Sequence, residues 1–325
     1  MAKLTIVEAV RDALDAELAR DEKVIILGED VGVDGGVFRA TDGLQKKYGE
    51  RRVIDTPLAE SGIVGTSIGM AIQGLKPVCE IQFDGFTYPA FDQLFSHAAR
   101  IRNRTRGKIT CPLVLRFPYG GGIRALEHHN ESPESYFIHT AGLKVVIPSN
   151  PYDAKGLLIS AIRDPDPVIF MEPKRIYRAI RDEVPDKPYT VEIGKANIVR
   201  EGTDVTLIAW GAMVRECVKT ADVSAAKGVR AEVIDIRTLS PCDWDTILGS
   251  VQKTGRAVVV HEAPHTLGFG AEIAARIQEK LLLYLKAPVQ RVTGYDTPFP
   301  YFKLEDVYLP GPNRIGKAIE QVMNF

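Results

Sequence analysis

The sequence predicts an α/β protein of two units, each built on a mainly parallel sheet, and three observations carry that prediction. Short continuous runs of β-branched and apolar residues recur along the chain, as in strands buried on both faces. Helical patterns lie between them, and strands alternating with helices make a parallel sheet. The chain has 325 residues, which at ~100–200 residues per domain is room for two.

Thr5-Ile-Val-Glu8 reads as a capping box, and Val7, Val10, Leu14 and Leu18 then recur at helical spacing, so a helix is expected over Thr5 to Arg20. Lys23-Val-Ile-Ile-Leu27 follows as a strand. Similar runs stand at Lys76 to Ile81, Leu113 to Arg116, Lys144 to Ile147 and Val168 to Met171. Between them, helices are expected over Gly62 to Gln73, Phe91 to Arg102 and Tyr152 to Ile162, the last with Asn150 as N-cap and Pro151 at the first helical position. From Arg181 to Asp204 the text turns polar and Pro-bearing, which reads as a linker and divides the chain into residues 1–187 and 188–325. Alternation then resumes. Strands are expected at Val205 to Trp210, Arg230 to Ile236 and Arg256 to Val260, and helices at Met213 to Ala226 and Ala271 to Leu283. A last helix begins near Asn313, with Ile315, Ala318, Ile319 and Val322 on one apolar face.

Composition excludes several function classes. Lys+Arg 41 against Asp+Glu 42 leaves a formal charge of -1, without the basic footprint that phosphate-backbone binding requires, so nucleic acid is not an expected partner. No apolar run approaches the ~20 residues of a membrane span, so no membrane partner is expected. Met1-Ala-Lys-Leu-Thr-Ile-Val lacks the apolar h-region of a signal peptide, and the expected location is cytoplasmic, or the mitochondrial matrix for a mature organellar chain. Cys79, Cys111, Cys217 and Cys242 are scattered, with no CxxC, and read as reduced structural thiols.

Among the segments that could carry chemistry, Asp55-Thr-Pro-Leu-Ala-Glu60 and the small-residue helix after it stand out, because Glu60 is the only ionisable residue between Pro57 and Leu75. One reading buries Glu60 with a specific hydrogen-bonding client. The other makes it a cap of the following helix, where its charge suits the N-terminal dipole. Gly62, Gly65 and Gly69 would let another backbone approach that helix closely.

His128-His129-Asn-Glu-Ser-Pro-Glu134 follows Pro118-Tyr-Gly-Gly-Gly122, a flexible run leading into polar residues, as in a site loop; a plain surface loop fits the pattern too. Metal ligation does not suit consecutive histidines, which point apart. The glycines are not a phosphate loop, and no G-x-G-x-x-G occurs, which disfavours a dinucleotide fold. A calcium loop from Asp30 is rejected, since Gly32 stands at its third position and Thr41 at its twelfth. His261-Glu-Ala-Pro-His265 follows a strand, where open α/β sheets display functional loops, or is simply a strand-end turn.

Taken together, Gly28-Glu-Asp-Val-Gly32, Gly35-Gly-Val-Phe38, Asp55-Thr-Pro-Leu-Ala-Glu60, Glu80-Ile-Gln-Phe83, His129 with Ser132-Pro-Glu134, and Pro151-Tyr-Asp-Ala-Lys-Gly156 resemble the beta subunits of the thiamine-diphosphate-dependent 2-oxo acid dehydrogenases. The resemblance runs in order through essentially the whole chain. Glu172-Pro-Lys-Arg-Ile-Tyr-Arg178, His261-Glu-Ala-Pro264 and Tyr295-Asp-Thr-Pro-Phe-Pro300 look more like the branched-chain members than the pyruvate or acetoin members. Many relatives read His-Ser-Gln-Ser-Pro-Glu where this chain has His129-Asn-Glu-Ser-Pro-Glu134.

The resemblance implies a pyrimidine-binding thiamine-diphosphate fold followed by a transketolase C-terminal-like domain. It implies that Glu60 hydrogen-bonds the aminopyrimidine, that Phe86 stacks on that ring with Leu58 and Gln82 close to it, and that His129 faces the substrate and donates a proton or orients it during acylation of a lipoyl group. It implies a K⁺ site of backbone carbonyls at Cys111, Leu113, Ala161, Asp164 and Asp166. The family's diphosphate and Mg²⁺ motif, Gly-Asp-Gly, is absent here and belongs to an alpha subunit. The implied assembly is therefore two alpha and two beta chains, docked on a lipoyl-bearing dihydrolipoyl acyltransferase. A non-catalytic assembly and docking subunit of the same fold is the competing reading; Glu60, Phe86 and His129 favour the catalytic one.

Overall fold

The computed structural model describes residues 1–325. The chain divides into two compact units, Met1–Tyr119 with Tyr136–Ile193, and Gly120–Ser135 with Gly194–Phe325. Through the first part of the chain the elements run β1 (Ala2–Leu4), α1 (Ile6–Arg20), β2 (Val24–Gly28), α2 (Leu44–Tyr48), β3 (Val53–Asp55), α3 (Glu60–Ile72), β4 (Lys76–Glu80), α4 (Ile101–Arg104), β5 (Val114–Tyr119), α5 (Glu134–Ile138), β6 (Lys144–Val146), α6 (Pro151–Arg163), β7 (Val168–Pro173) and β8 (Asp182–Val184). In the first unit's sheet β6, β7, β5, β4, β2 and β3 lie side by side in that order, every neighbouring pair parallel.

The expected start of α1 is present. Thr5 N–H donates to Glu8 Oε2 at 2.7 Å and Glu8 N–H to Thr5 Oγ1 at 3.4 Å, a complete capping box. The helix buries Val7, Val10, Leu14 and Leu18 and packs on α6, where buried Glu17 meets Arg163 at 2.6 Å. Asn150 caps α6 by accepting from Asp153 N–H at 2.8 Å.

Two sequence expectations fail. Phe91 to Arg102 is not one helix: Asp84–Ala90 is a 3₁₀ helix, Gln93–His97 winds with π-type turns, and α4 holds only Ile101–Arg104. Large rings dominate this stretch. Phe91 stacks on Phe95 at 4.8 Å between centroids, and both meet Phe137 edge-on, so side-chain packing sets the winding in place of regular i to i+4 bonding. Arg181 to Asp204 is likewise more than a linker. It contains β8, which pairs antiparallel with β1 through Ala2 and Val184, and a further strand beyond the unit boundary at 193/194. Strands of three or four residues lack an apolar signature.

The second unit continues with that strand, β9 (Asn197–Arg200), then β10 (Val205–Ala209), α7 (Ala212–Ala225), β11 (Ala231–Asp235), β12 (Thr238–Ser240), α8 (Trp244–Thr254), β13 (Ala257–Val260), α9 (Phe269–Leu281), β14 (Gln290–Val292), α10 (Glu305–Tyr308) and α11 (Pro312–Met323). Its sheet has the order β14-β13-β10-β11-β9, with β9 antiparallel and the rest parallel. α11 buries Ile315, Ala318, Ile319 and Val322, as its pattern predicts. The four cysteines are free thiols, and burial pushes Cys79, Cys111 and Cys242 up to about 12. No helix is long and apolar enough to cross a membrane.

At the carboxyl edge of the first sheet lies a buried charge cluster that the hydrophobic pattern does not announce. Arg116 on β5, 1% exposed, sits in register beside Glu80 on β4 and contacts its carboxylate. On its other side it forms two bonds to Glu172 on β7, Nε to Oε1 at 2.7 Å and Nη2 to Oε2 at 2.8 Å, and Tyr177 Oη also donates to Glu172. Burial pushes the Glu80 carboxyl up, against the pull of Arg116, while the two acids hold Arg116 charged. Removing one partner of such a set leaves buried charge uncompensated, at a cost of about 3–5 kcal/mol. Arg116→Met is therefore expected to unfold at lower urea than the wild type. The sign with pH follows from Glu80. An acid whose folded pKa is raised contributes stability below its unfolded value of about 4.5 that is lost as pH rises through the folded value. Arg116 pulls the Glu80 value down, so its removal raises that value further and the variant loses more stability than the wild type as pH rises. The deficit of Arg116→Met should be larger at pH 8 than at pH 5 in urea titrations, and an equal deficit would show that Glu80 is not the acid left uncompensated.

Candidate active site

In the first unit the parallel strands end at one edge, and the residues singled out by the sequence stand on the segments that leave it. Glu60 is the first helical residue of α3, preceded by Ala59, which makes no side-chain cap. It is half-buried, not enclosed. The expectation of a buried Glu60 is thereby corrected: the residues leading into α3, Pro57 to Ala59, are exposed, and Leu58 is 79% exposed. Nor is Glu60 the N-cap itself. Its charge lies in the first turn, where the helix dipole favours an anion. Behind it stands Glu29, buried just after β2, whose carboxyl is pushed up by burial and by the charges of Glu60 and Asp30. Two acids share this edge, and one of them resists ionisation.

Gln82 follows β4, and its Nε2 donates to Asp30 Oδ2 at 3.0 Å. Phe86 sits on the 3₁₀ helix after β4 and is half-buried. Its ring direction is set by neighbouring aromatics: Phe86 meets Phe83 edge-on at 5.9 Å, Phe83 meets Phe38 at 5.6 Å, and Phe38 meets Tyr177 at 5.2 Å. Lys174, following β7, fastens the same 3₁₀ helix through Asp84 at 2.6 Å, both side chains fully enclosed. Gly35 and Gly36, with φ of 74° and 78°, bend the loop that delivers Phe38; a Cβ on Gly35 would stand 2.5 Å from the Asp42 backbone, so this turn requires glycine. The donors of that loop are directed at Asp55, which accepts from Gly32 N–H at 2.6 Å and Val33 N–H at 3.2 Å.

The five carbonyl positions lie on the segment before β5 and at the end of α6, two segments that meet where Cys111 N–H donates to Pro165 O at 3.1 Å. Leu113 N–H donates to Cys111 O at 2.8 Å, Val168 N–H to Leu113 O at 2.9 Å, and Asp164 N–H to Ala161 O at 3.2 Å. The side chains of Asp164 and Asp166 are occupied by cations, Lys144 at 2.6 Å and Arg102 at 2.6 Å. No group of three or more His, Cys, Asp or Glu side chains in the chain could hold a metal ion.

The second unit carries His129, half-buried in the 3₁₀ turn Glu127–His129. Its ring and that of His128 lie 6.4 Å apart at 73°, so the pair diverges. His261 is different. It is fully enclosed and stacks on Trp210 at 5.2 Å and 15°, and burial pushes its imidazole down to about 3. The functional-loop reading of His261 is corrected: the residue is a neutral core ring, and His265 beyond it turns the chain by bonding Thr293 and Arg291. The acids here were not legible as a group. Glu134 is fully buried, and its carboxyl is pushed up to about 8, mainly by burial, with the charge of Glu262 adding to the rise. Both lie inside quoted motifs, Ser132-Pro-Glu134 and His261-Glu262, but their burial depends on partners distant in the chain.

Comparisons with known proteins agree with this architecture. Residues 2–179 match the family "Transketolase, pyrimidine binding domain", and residues 194–315 match "Transketolase, C-terminal domain". Pyruvate dehydrogenase E1 component subunit beta of Acholeplasma laidlawii is 54% identical over 322 residues, 99% of this chain and 98% of the relative. The protein of the same description from Bacillus subtilis is 52% identical over 325 residues, 100% of each. A solved structure, "Split gene transketolase, inactive beta4 tetramer", superposes with a TM-score of 0.82 at 20% identity, covering 99% of both chains, and shows the shared fold. With full-length identity above half and both domains matched in order, the chain belongs to the beta subunits of the thiamine-diphosphate-dependent 2-oxo acid dehydrogenases.

Proposed function

We propose that this subunit acts on pyruvate, in oxidative decarboxylation followed by reductive acylation of a lipoyl group, and that it does so with an alpha subunit and a lipoyl-bearing dihydrolipoyl acyltransferase. The observation that carries the catalytic reading is Glu60 at the N-terminus of α3, with Glu29 behind it and the Phe86 ring on the neighbouring segment. A non-catalytic docking subunit would have no need of that arrangement.

The residues fit half of thiamine diphosphate. A carboxylate for a ring nitrogen and an aromatic face for stacking suit the aminopyrimidine, with Gln82 and Leu58 flanking. No glycine-rich phosphate cradle and no acidic metal cluster accompanies them, which supports leaving the diphosphate and its Mg²⁺ to the alpha subunit. When bound, thiamine diphosphate supplies the nucleophilic carbon and the electron sink for loss of carbon dioxide. Glu60 would accept the hydrogen bond of the aminopyrimidine nitrogen and share its proton. Phe86, fixed by Phe83 and Phe38, would orient the ring. His129 would donate a proton or orient the substrate during acylation. The carbonyls of Cys111, Leu113, Ala161, Asp164 and Asp166 suit K⁺ as neutral oxygens: three already accept one N–H each, and a carbonyl keeps a second lone pair.

The branched-chain reading gives way to pyruvate. Relatives at 54% and 52% identity are pyruvate dehydrogenase subunits, and the segments that suggested branched-chain substrates have other work. Glu172 binds Arg116, His261 stacks on Trp210, and Tyr295 packs on Tyr308 and under Arg314. They answer to packing in this chain, so their likeness to branched-chain members carries no information about an acyl pocket.

Three measurements test these assignments. Glu60→Gln, assembled with the alpha subunit, should keep its thermal midpoint and lose about 10²–10⁴-fold in decarboxylation; a wild-type rate would reduce Glu60 to a dipole partner of α3. Specificity constants on one preparation should favour pyruvate over 2-oxoisovalerate, and because a methylene in a hydrophobic pocket is worth only ~1–3 kcal/mol, both substrates should turn over measurably. The reverse ratio would restore the branched-chain reading. By calorimetry, the beta chain alone should bind thiamine diphosphate weakly and gain tight binding on adding the alpha subunit and Mg²⁺. Tight Mg²⁺-dependent binding by the lone chain would contradict the divided site.

A further inference from the structure

The segment 120–135, which carries His129, is held by acids of its own unit. Gly121 N–H donates to Glu262 Oε2 at 3.0 Å, and Arg124 N–H donates to Glu305 Oε2 at 3.1 Å. The two glutamates are 5% and 3% exposed. Burying a carboxylate is costly unless donors meet it, and charge-assisted bonds from backbone N–H are among the stronger ones. The glycines make the approach possible: a Cβ on Gly120, at φ +78°, would stand 2.7 Å from Glu262 Oε2, and one on Gly121 would stand 2.5 Å from the Phe299 ring.

Inside the segment the backbone is cross-braced. Gly120 N–H donates to Glu131 O at 2.8 Å and His129 N–H to Leu126 O at 3.0 Å. Buried Asn130 donates from Nδ2 to Ala125 O at 2.8 Å and to Leu126 O at 3.1 Å. These bonds tie the backbone at 120 and at 125–126 to residues 129–131, so a shift at Gly121 or Arg124 would be felt at His129. The far end is enclosed as well: Glu134 lies buried within electrostatic range of Glu262, and burial pushes its carboxyl up to about 8.

We propose that Glu262 and Glu305 are positioning residues for His129, fixing its loop by accepting the Gly121 and Arg124 backbone N–H groups. The proposal rests on the reading of His129 as a group needed for lipoyl acylation.

The test uses the enzyme assembled with its alpha subunit, with two assays: acylation of a free lipoyl domain, and decarboxylation with ferricyanide as electron acceptor. Misplacing a catalytic group by about 1 Å can cost up to ~10²-fold. Glu262→Ala should lose roughly 10- to 100-fold in acylation and clearly less in decarboxylation. Glu262→Gln, whose amide oxygen still accepts the Gly121 N–H, should recover most of the acylation. Glu262→Ala combined with His129→Ala should be no slower in acylation than His129→Ala alone. Should Glu262→Ala not assemble, Glu305→Ala takes its place, with the same split and with faster deuterium exchange at peptide 120–135. Wild-type acylation in the alanine variant, equal loss in both assays, no recovery with Gln, or multiplicative losses in the double variant would each overturn the positioning role. If His129→Ala itself acylates at the wild-type rate, the reading of His129 fails first and the proposal falls with it.

Discussion

Arg116, enclosed between Glu80 and Glu172, is the constraint on which the first unit depends. Three neighbouring parallel strands each place one charged side chain at the same edge, and a one-residue slip of any strand would turn its residue to the opposite face. An apolar core tolerates small shifts in register; a buried guanidinium with two carboxylates does not. The cluster thus fixes the register of β4, β5 and β7. The segments that leave their ends carry Gln82, Phe83, Phe86 and Lys174. Lys174 then repeats the device with Asp84. The ring that would face a cofactor is placed by a chain of charge pairs and aromatic contacts that begins in the sheet.

The second unit uses buried acids differently. Glu262 and Glu305 accept backbone N–H groups of the 120–135 segment, so each ties a loop to its unit. His261, the neighbour of Glu262, is enclosed on Trp210 with Gly268 and Gly270 pressed against its ring; a Cβ on either glycine would stand within 2.7 Å of it. One dipeptide therefore divides its duties, with His261 contributing a flat neutral ring to the core and Glu262 an anion to the loop.

Glu60 differs from all of these acids in being half-buried. Glu80, Glu172, Glu262 and Glu305 are enclosed and matched to donors, whereas Glu60 stands in the first turn of a helix beside exposed Leu58. A half-buried carboxylate in the first turn of a helix, next to exposed residues, is open to a proton partner outside the chain. That is the physical difference between an acid that holds a fold together and one that is available for chemistry, and the proposed divided cofactor site calls for the second kind.

Periodicity alone determined the α/β class, the two units, the capped start of α1, the Asn150 cap of α6 and the apolar face of α11, because those features depend on residues within one or two turns of each other. Motif resemblance determined the family and its candidate residues. Tertiary structure decided the rest. The stretch from Phe91 to Arg102 lost its helix to ring packing with Phe137, and β8 arose from pairing with the N-terminus. Glu60 proved half-buried, and Arg116, Glu134, Glu262 and His261 proved enclosed. Each of those outcomes depends on partners tens of residues or more away in the chain, except the burial of Glu60, which depends on the exposed residues that precede it. Burial of an ionisable side chain is a property of what surrounds it, and the sequence specifies those surroundings only once it has folded.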